Sequence, residues 1–331
     1  FMITRTIGDR SVCPIGLGCM SLTFAYGRQP QKKTATEILQ KALDLGYDHL
    51  DTARLYGSGE NEVLIGQTLK GLRDRFFLAS KAGIFPGNEK RMVDCRPETL
   101  RKACDASLAS LQTDHIDLYY LHRHDYNTPI EDSVGALADL ITEGKIGAIG
   151  LSEVGAETLR KAHQIHPITA VQNEYSLWTR NPEIAVLETC NELGVTFVAF
   201  SPLGRGALAN DVGADGALPD NDFRAAMPRF SAENWPYNYR LIQQFIALAK
   251  NEGVTPAQLA LGWVLAQGDH VLAIPGTGVI AHLEENIERV QWQPSAQTLS
   301  QLDALINQQT VRGHRYSDAM SSNIDSEEFN D

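Results

Sequence analysis

Eight short apolar runs alternate with amphipathic stretches of helical period, and this alternation limits the fold of the chain more than any other feature. The runs are CPIGLG, YDHLDTA, RFFLASKAG, IDLYYLH, AIGLSE, AVQNEYS, TFVAFSPL and VLAIPGT. Runs of this length, bounded by turn residues, read as buried strands. Between them lie TATEILQKALDLG, RPETLRKACDASLASLQ, SVGALADLITEGK, AETLRKAHQIH and PEIAVLETCNELG. Several of these open on Thr, Ser or Pro and close on Gly, the start and stop chemistry of helices. TPAQLALGWVLAQG predicts a helix before the eighth strand and AHLEENIERV one after it. SAQTLSQLDALINQQ adds a further C-terminal helix.

Eight strand–helix units permit a closed (β/α)8 barrel or an open doubly wound sheet. The strand ends decide between them. Each run turns polar or glycine-rich at its C-terminal end, at Gly18, Asp51, Lys81, His122, Ser152, Gln172, Ser201, and Gly276 with Thr277. A barrel gathers those ends at one mouth, where function sits, whereas an open sheet spreads them along an edge. The expected fold is therefore an α/β (β/α)8 TIM barrel over residues 2–316. A long loop follows strand 7, at about residues 207–239, and an extra C-terminal helix leads to an acidic tail over 317–331. The loop is rich in Gly, Asp, Asn and Pro. Its place after a strand's C-terminal end suits a lid, and the end of the tail is expected to fray.

Composition excludes several classes. The 331 residues are 43% hydrophobic and 21% charged with a net charge of -12, which disfavours nucleic acid or an anionic membrane as partner. Five scattered cysteines, Cys13, Cys19, Cys95, Cys104 and Cys190, form no CxxC pair, as in reduced cytosolic proteins. No apolar run approaches the ~18 residues of a membrane span. The opening FMITRTIGDR lacks the apolar core of a signal peptide. Together these point to a cytoplasmic protein acting on a small molecule, and leave its oligomeric state open.

Four polar residues near strand ends 2, 3 and 4 then draw together: Asp51, Tyr56, Lys81 and His122. A free tyrosine ionises near pH ~10, and a neighbouring ammonium favours the phenolate and lowers that value. A carboxylate keeps the lysine charged and oriented, and a histidine offers a hydrogen bond to an incoming oxygen. Such a set can protonate a carbonyl oxygen. Taken singly, Asp51 reads as a turn residue, Tyr56 as a packed aromatic and His122 as a core histidine. Lys81 is harder to dismiss, because a charge inside an apolar strand needs a partner, and Asp51 supplies one.

These residues sit in stretches that resemble the aldo-keto reductase superfamily: GYDHLDTARLYGSGENEVLIG, FFLASKAG, IDLYYLHRHD, VQNEYSL, FSPLGRGAL and IPGTGVIAHLEENI. The resemblance runs in order from about residue 12 to residue 316. It implies a TIM barrel that reduces an aldehyde or ketone reversibly with an extended nicotinamide cofactor. In that reading Tyr56 is the proton donor, Lys81 depresses its pKa, Asp51 anchors Lys81 and His122 orients the carbonyl. Ser152 and Gln172 match the carboxamide ligands, while Glu153 stands where many members have Asn. Phe200 matches the ring that stacks on the nicotinamide. Ser201, Leu203, Gly204 and Gly206 follow the pyrophosphate, with Arg205 adding charge. Gly276, Thr277, Glu285 and Asn286 match the adenosine end, and Gly18 and Met20 the nicotinamide ribose; Asp51 belongs to the cofactor-facing set as well. NADPH/NADP+ is the expected cofactor and NADH/NAD+ the alternative, because TGVIAH offers a 2′-phosphate only Thr277 and His282 in place of Lys or Arg.

Competing motifs are weaker. GLGCMS is a broken G-x-G-x-x-G followed by no helix, and HRHD offers one His-x-His pair without a full metal-ligand set. A cofactor-sensing barrel with little turnover is the second reading of the whole. The substrate pocket is expected to draw on SLTFAYG, IFPGNEK, HDYN, Trp178, the loop from Trp235 to Tyr239 and the tail from His314 to Tyr316. Phe24, Tyr26, Phe85, Tyr126 and Trp178 suggest aromatic walls; the cysteines read as inert, with Cys19, near the mouth, the one oxidisable candidate.

Overall fold

The computed structural model describes residues 3–27, 29–86 and 92–329. Eight parallel strands follow one another around a single sheet: β1 (Leu17–Gly18), β2 (His49–Asp51), β3 (Phe77–Ala82), β4 (Leu118–Leu121), β5 (Ile149–Ser152), β6 (Ala170–Glu174), β7 (Thr196–Phe200) and β8 (Val271–Ala273). The sheet closes on itself. Parallel bridges join Ile15 to Ala273 and Gly18 to Gly276, and the Gly16 amide donates to the Ala273 carbonyl at 2.9 Å. All eight runs that the sequence marks as strands are strands of this barrel.

Helices α1 (Lys32–Leu45), α2 (Glu60–Thr68), α3 (Pro97–Leu111), α4 (Ile130–Thr142), α5 (Ala156–Ile165), α6 (Val186–Leu193), α7 (Trp235–Glu252), α8 (Pro256–Leu265), α9 (Ile280–Glu288) and α10 (Ala296–Leu305) surround it. Their start signals hold where they are strongest: Thr255 and Gln258 form a reciprocal capping box at the head of α8, satisfying two otherwise orphaned amides. None of the described helices is long and apolar enough to cross a membrane.

Side chains alternate between the two faces of each strand, and that period places the functional residues. In β3, Phe77 and Ala79 join the cluster inside the barrel with Leu118, Tyr120, Ala170, Val198 and Leu272. Lys81, two residues beyond Ala79, continues the same inward face. The same parity carries Leu118 and Tyr120 on to His122, Ala170 to Gln172, and Val198 to Phe200. The inner core is thus apolar at the bottom and turns polar toward the C-terminal mouth. Tyr120 fills so much of this space that a Cβ at Gly150 would collide with its ring.

Three parts were not visible in the sequence pattern. An N-terminal hairpin (Arg5–Ile7 with Arg10–Val12) plugs the bottom of the barrel with Ile7 and Val12. The irregular stretch after β7 ends earlier than expected, because α7 begins at Trp235. That indole donates to the Gly213 carbonyl at 2.8 Å, so the loop folds against its own following helix. Over its described part the tail is bonded to the barrel, with Asp325 bridging to Val154, just beyond β5.

Candidate active site

The short β2 ends on Asp51, and five residues on Tyr56 opens a short 3-10 turn that passes through a left-handed Gly57. Lys81 is fully buried. Its ammonium pairs with Asp51, donates to the Thr52 carbonyl at 3.0 Å and reaches the Tyr56 hydroxyl at 3.4 Å. The other Asp51 oxygen accepts from Gln172 at 2.8 Å, so both carboxylate oxygens are held. The His122 ring meets the Tyr56 ring edge-on, with centroids 5.9 Å apart. The four residues proposed as catalytic therefore form one contiguous group.

Electrostatics refine the expected role of Lys81. Burial raises the Tyr56 pKa, and the nearby ammonium pulls against that rise without cancelling it. The phenol is accordingly protonated at neutral pH, the form a proton donor needs. Burial also disfavours the charge on Lys81, but Asp51 and Tyr56 outweigh it and its pKa lies above the ordinary lysine value. Cys19 is fully buried and its thiol is pushed well up by burial, which makes it inert rather than oxidisable.

Tyr56, His122 and Asp51 line a cavity of about 920 Å³. Lys81 sits behind Tyr56 and does not line it. Of the residues expected to face a cofactor, Gly18, Met20, Asp51, Ser152, Gln172, Phe200, Ser201, Leu203, Arg205, Gly206, Gly276, Thr277, His282, Glu285 and Asn286 all line this cavity. Gly204 does not; its backbone packs over Trp178 and Leu208. Such a long cavity suits an extended dinucleotide, and its chemistry fits one: the buried Asn286 Oδ1 and Ser21 Oγ have no hydrogen-bond partner among the described residues.

The profile of the Aldo/keto reductase family matches residues 14–307. The chain belongs to the aldo/keto reductase family. It is 42% identical over 307 residues to the probable aldo-keto reductase 1 of Glycine max, covering 92% of this chain and 88% of that protein. Among solved structures it is similar to the glycerol dehydrogenase of Gluconobacter oxydans, with a TM-score of 0.83, 27% identity and coverage of 91% and 94% of the two chains. An aldo/keto reductase from Klebsiella pneumoniae in complex with NADP and acetate is similar at a TM-score of 0.73, 28% identity and coverage of 96% and 99%. The protein is thus an NAD(P)H-dependent oxidoreductase acting on carbonyl groups.

Two site features of this aldo/keto reductase were not legible beforehand. Glu153, at a left-handed φ of 54°, does not line the cavity. Its carboxylate accepts from Arg315 at 3.0 and 2.5 Å and from Ser326 at 2.7 Å. Arg315 also reaches Glu174 at 3.2 Å, and Glu174 pairs with Arg205 at 2.9 Å. The Arg205 guanidinium, expected near a pyrophosphate, is therefore already bound by Glu174 and the Tyr316 hydroxyl. This buried network ties the tail to strand ends 5, 6 and 7, and brings Tyr316, Met320 and Ile324 into the cavity wall.

Two of the five aromatic residues expected in the pocket walls line the cavity. Phe24 and Tyr26 line the cavity, with Tyr26 packed on Phe223 from the long loop at 5.1 Å. Phe85, Tyr126, Trp178 and Trp235 do not line it. Tyr126 is exposed and donates to Asp325 at 3.1 Å. Residues 87–90 of IFPGNEK lie outside the described residues. Arg123, which follows His122, also lines the cavity, with nothing in the sequence to mark it.

Proposed function

We propose that this reductase reduces an aldehyde or ketone to the alcohol, and runs the reverse oxidation, with Tyr56 as the proton donor. The observation that carries the reading is that Tyr56 and His122 meet on the wall of one cavity while Lys81, behind that wall, reaches the Tyr56 hydroxyl. His122 orients the carbonyl oxygen toward the Tyr56 hydroxyl. Tyr56 gives its proton to that oxygen as negative charge develops there. Asp51 holds Lys81 in place, so the cation stabilises the phenolate left behind. When bound, the nicotinamide supplies the hydride.

Gly18, Met20, Ser152, Gln172 and Phe200 would hold its nicotinamide end. Ser201, Leu203 and Gly206 would follow the pyrophosphate, and Gly276, Thr277, His282, Glu285 and Asn286 the adenosine end. NADP(H) is the cofactor we assign, supported by the related Klebsiella structures that hold it. His282 is the one basic side chain beside Thr277 among the described lining residues of that end, so the preference over NADH should be modest. We also read residues 2–316 as a single barrel domain, and the five unbonded buried cysteines as suited to the cytoplasm.

The test is loss of dihydronicotinamide absorbance with purified protein, aliphatic and aromatic aldehydes or ketones, and NADPH and NADH in parallel. Carbonyl-dependent oxidation, faster with NADPH by a modest factor, is expected. Cofactor binding without any carbonyl-dependent oxidation would contradict the reading.

A further inference from the structure

The cations that line the cavity are nearly all spoken for. Arg205 pairs with Glu174 at 2.9 Å and Arg224 with Asp222 at 2.6 Å. Lys81, behind the wall, belongs to Asp51. Arg123 differs. It lines the cavity immediately after His122 and is half-buried. Its Nη1 donates to the His122 carbonyl at 2.6 Å and to the Ser152 hydroxyl at 3.3 Å. Its Nε and Nη2 donate to nothing among the described residues, and no carboxylate there lies within ion-pairing distance of it. Glu153 is near enough to feel its charge, but both Glu153 oxygens are already held by the tail.

A guanidinium on the cavity wall, fixed through Nη1 and with its other nitrogens unpaired among the described residues, is a half-made carboxylate site. Arginine matches a carboxylate because its donors form a planar fork, and charge-assisted bonds of this kind are about twice as strong as neutral ones. It is held by the carbonyl of its neighbour His122, whose ring meets Tyr56 on the wall of the same cavity.

We propose that Arg123 binds a carboxylate on the substrate, so that this reductase acts on oxo acids, aldehydes or ketones whose carboxylate lies a few bonds from the carbonyl. The proposal rests on the reductase reading above and names its substrate class. The carbonyl carbon takes a hydride from the reduced dinucleotide and the oxygen a proton from Tyr56, which yields the hydroxy acid and the oxidised dinucleotide. A carboxylate is favoured over a phosphate because a phosphate brings a second negative charge, and no second unpaired guanidinium lines the cavity among the described residues.

Matched probes test this: 4-oxobutanoate against butanal, and glyceraldehyde 3-phosphate against glyceraldehyde, each with NADPH and full-length protein. Wild type should favour 4-oxobutanoate over butanal in kcat/KM, mainly through KM. Arg123→Leu should lower that ratio about tenfold or more, and Arg123→Lys should give an intermediate ratio. If wild type reduces butanal but shows no advantage for the oxo acid, the carboxylate site is refuted and the reductase reading stands. If Arg123→Leu slows both substrates equally, Arg123 merely braces Ser152 and the proposal fails. An Arg123-dependent preference confined to the phosphorylated aldehyde would likewise overturn it. If no carbonyl is reduced at all, the failure lies in the reductase reading itself.

Discussion

A lysine inside a barrel is stable only where its charge is answered, and Lys81 is answered twice, by Asp51 and by the Thr52 carbonyl. This arrangement governs Tyr56. Because burial holds the phenol above its ordinary pKa, the account predicts reductive kcat that is flat through neutral pH and falls only in the alkaline range, where the phenol ionises. The oxidative direction needs the phenolate as base, so its rate should rise with pH in that same range. Steady-state pH profiles in both directions check the sign, and a reductive kcat that declined near pH 7 would contradict it. Legibility at this scale was high for Asp51, Tyr56, Lys81 and His122, because a charge at the end of an apolar strand is locally conspicuous. It was low for Arg123, since an arginine on a loop is ordinary and only the absence of an acid around it marks it out. Arg205 lines the cavity as expected, but nothing local shows that Glu174 pairs with it.

At the scale of elements, the tail and strand ends 5 to 7 act as one unit through Glu153, Arg315 and Glu174. Burial pushes the Glu153 carboxyl up, and the Arg315 guanidinium more than offsets this, lowering it to about 2. Unfolded, the same group titrates near pH ~4.3. The unfolded chain therefore binds more protons between those values, and the stability contributed by Glu153 is present above about pH 4.3 and lost as pH falls toward 2. Arg315→Met should cost about 3–5 kcal/mol at neutral pH, because it leaves buried carboxylates without their cation. It should also reverse the local sign, since protonating an unpaired buried Glu153 relieves its desolvation. Urea unfolding across pH measures both effects; an unchanged acid limb in the variant would contradict the assignment. Long-range pairs of this kind explain why the tail looked destined to fray. The start of α7 was obscured in a similar way: WPYN reads locally as loop, and it is the packing of Trp235 against Phe230 at 5.4 Å and its bond to Gly213 that make it helix.

For the molecule as a whole, the barrel separates stability from chemistry. Its inner core is apolar below and polar above, with the N-terminal hairpin sealing the lower end through Ile7 and Val12. Ile7→Ala should therefore cost about 2–4 kcal/mol of stability while leaving the dissociation constant for NADPH unchanged within error. Denaturant melts paired with fluorescence titration test this, and a matching loss of cofactor affinity would show that the two ends are coupled. The architecture was the most legible level of all, because eight strand ends that turn polar together have one economical arrangement, a common mouth. The hairpin was missed because RTI and RSV are short, half-polar and carry no period of their own.

The central claim is that Tyr56 delivers the proton, and replacing one oxygen tests it most directly. In Tyr56→Phe the ring and its contacts with Phe24 and His122 are kept while the donor is removed. The account predicts that carbonyl-dependent NADPH oxidation falls by a factor of about 10² or more, with the NADPH dissociation constant, read by fluorescence titration on the same sample, nearly unchanged. A variant that kept near-wild-type turnover would show that the proton comes from elsewhere.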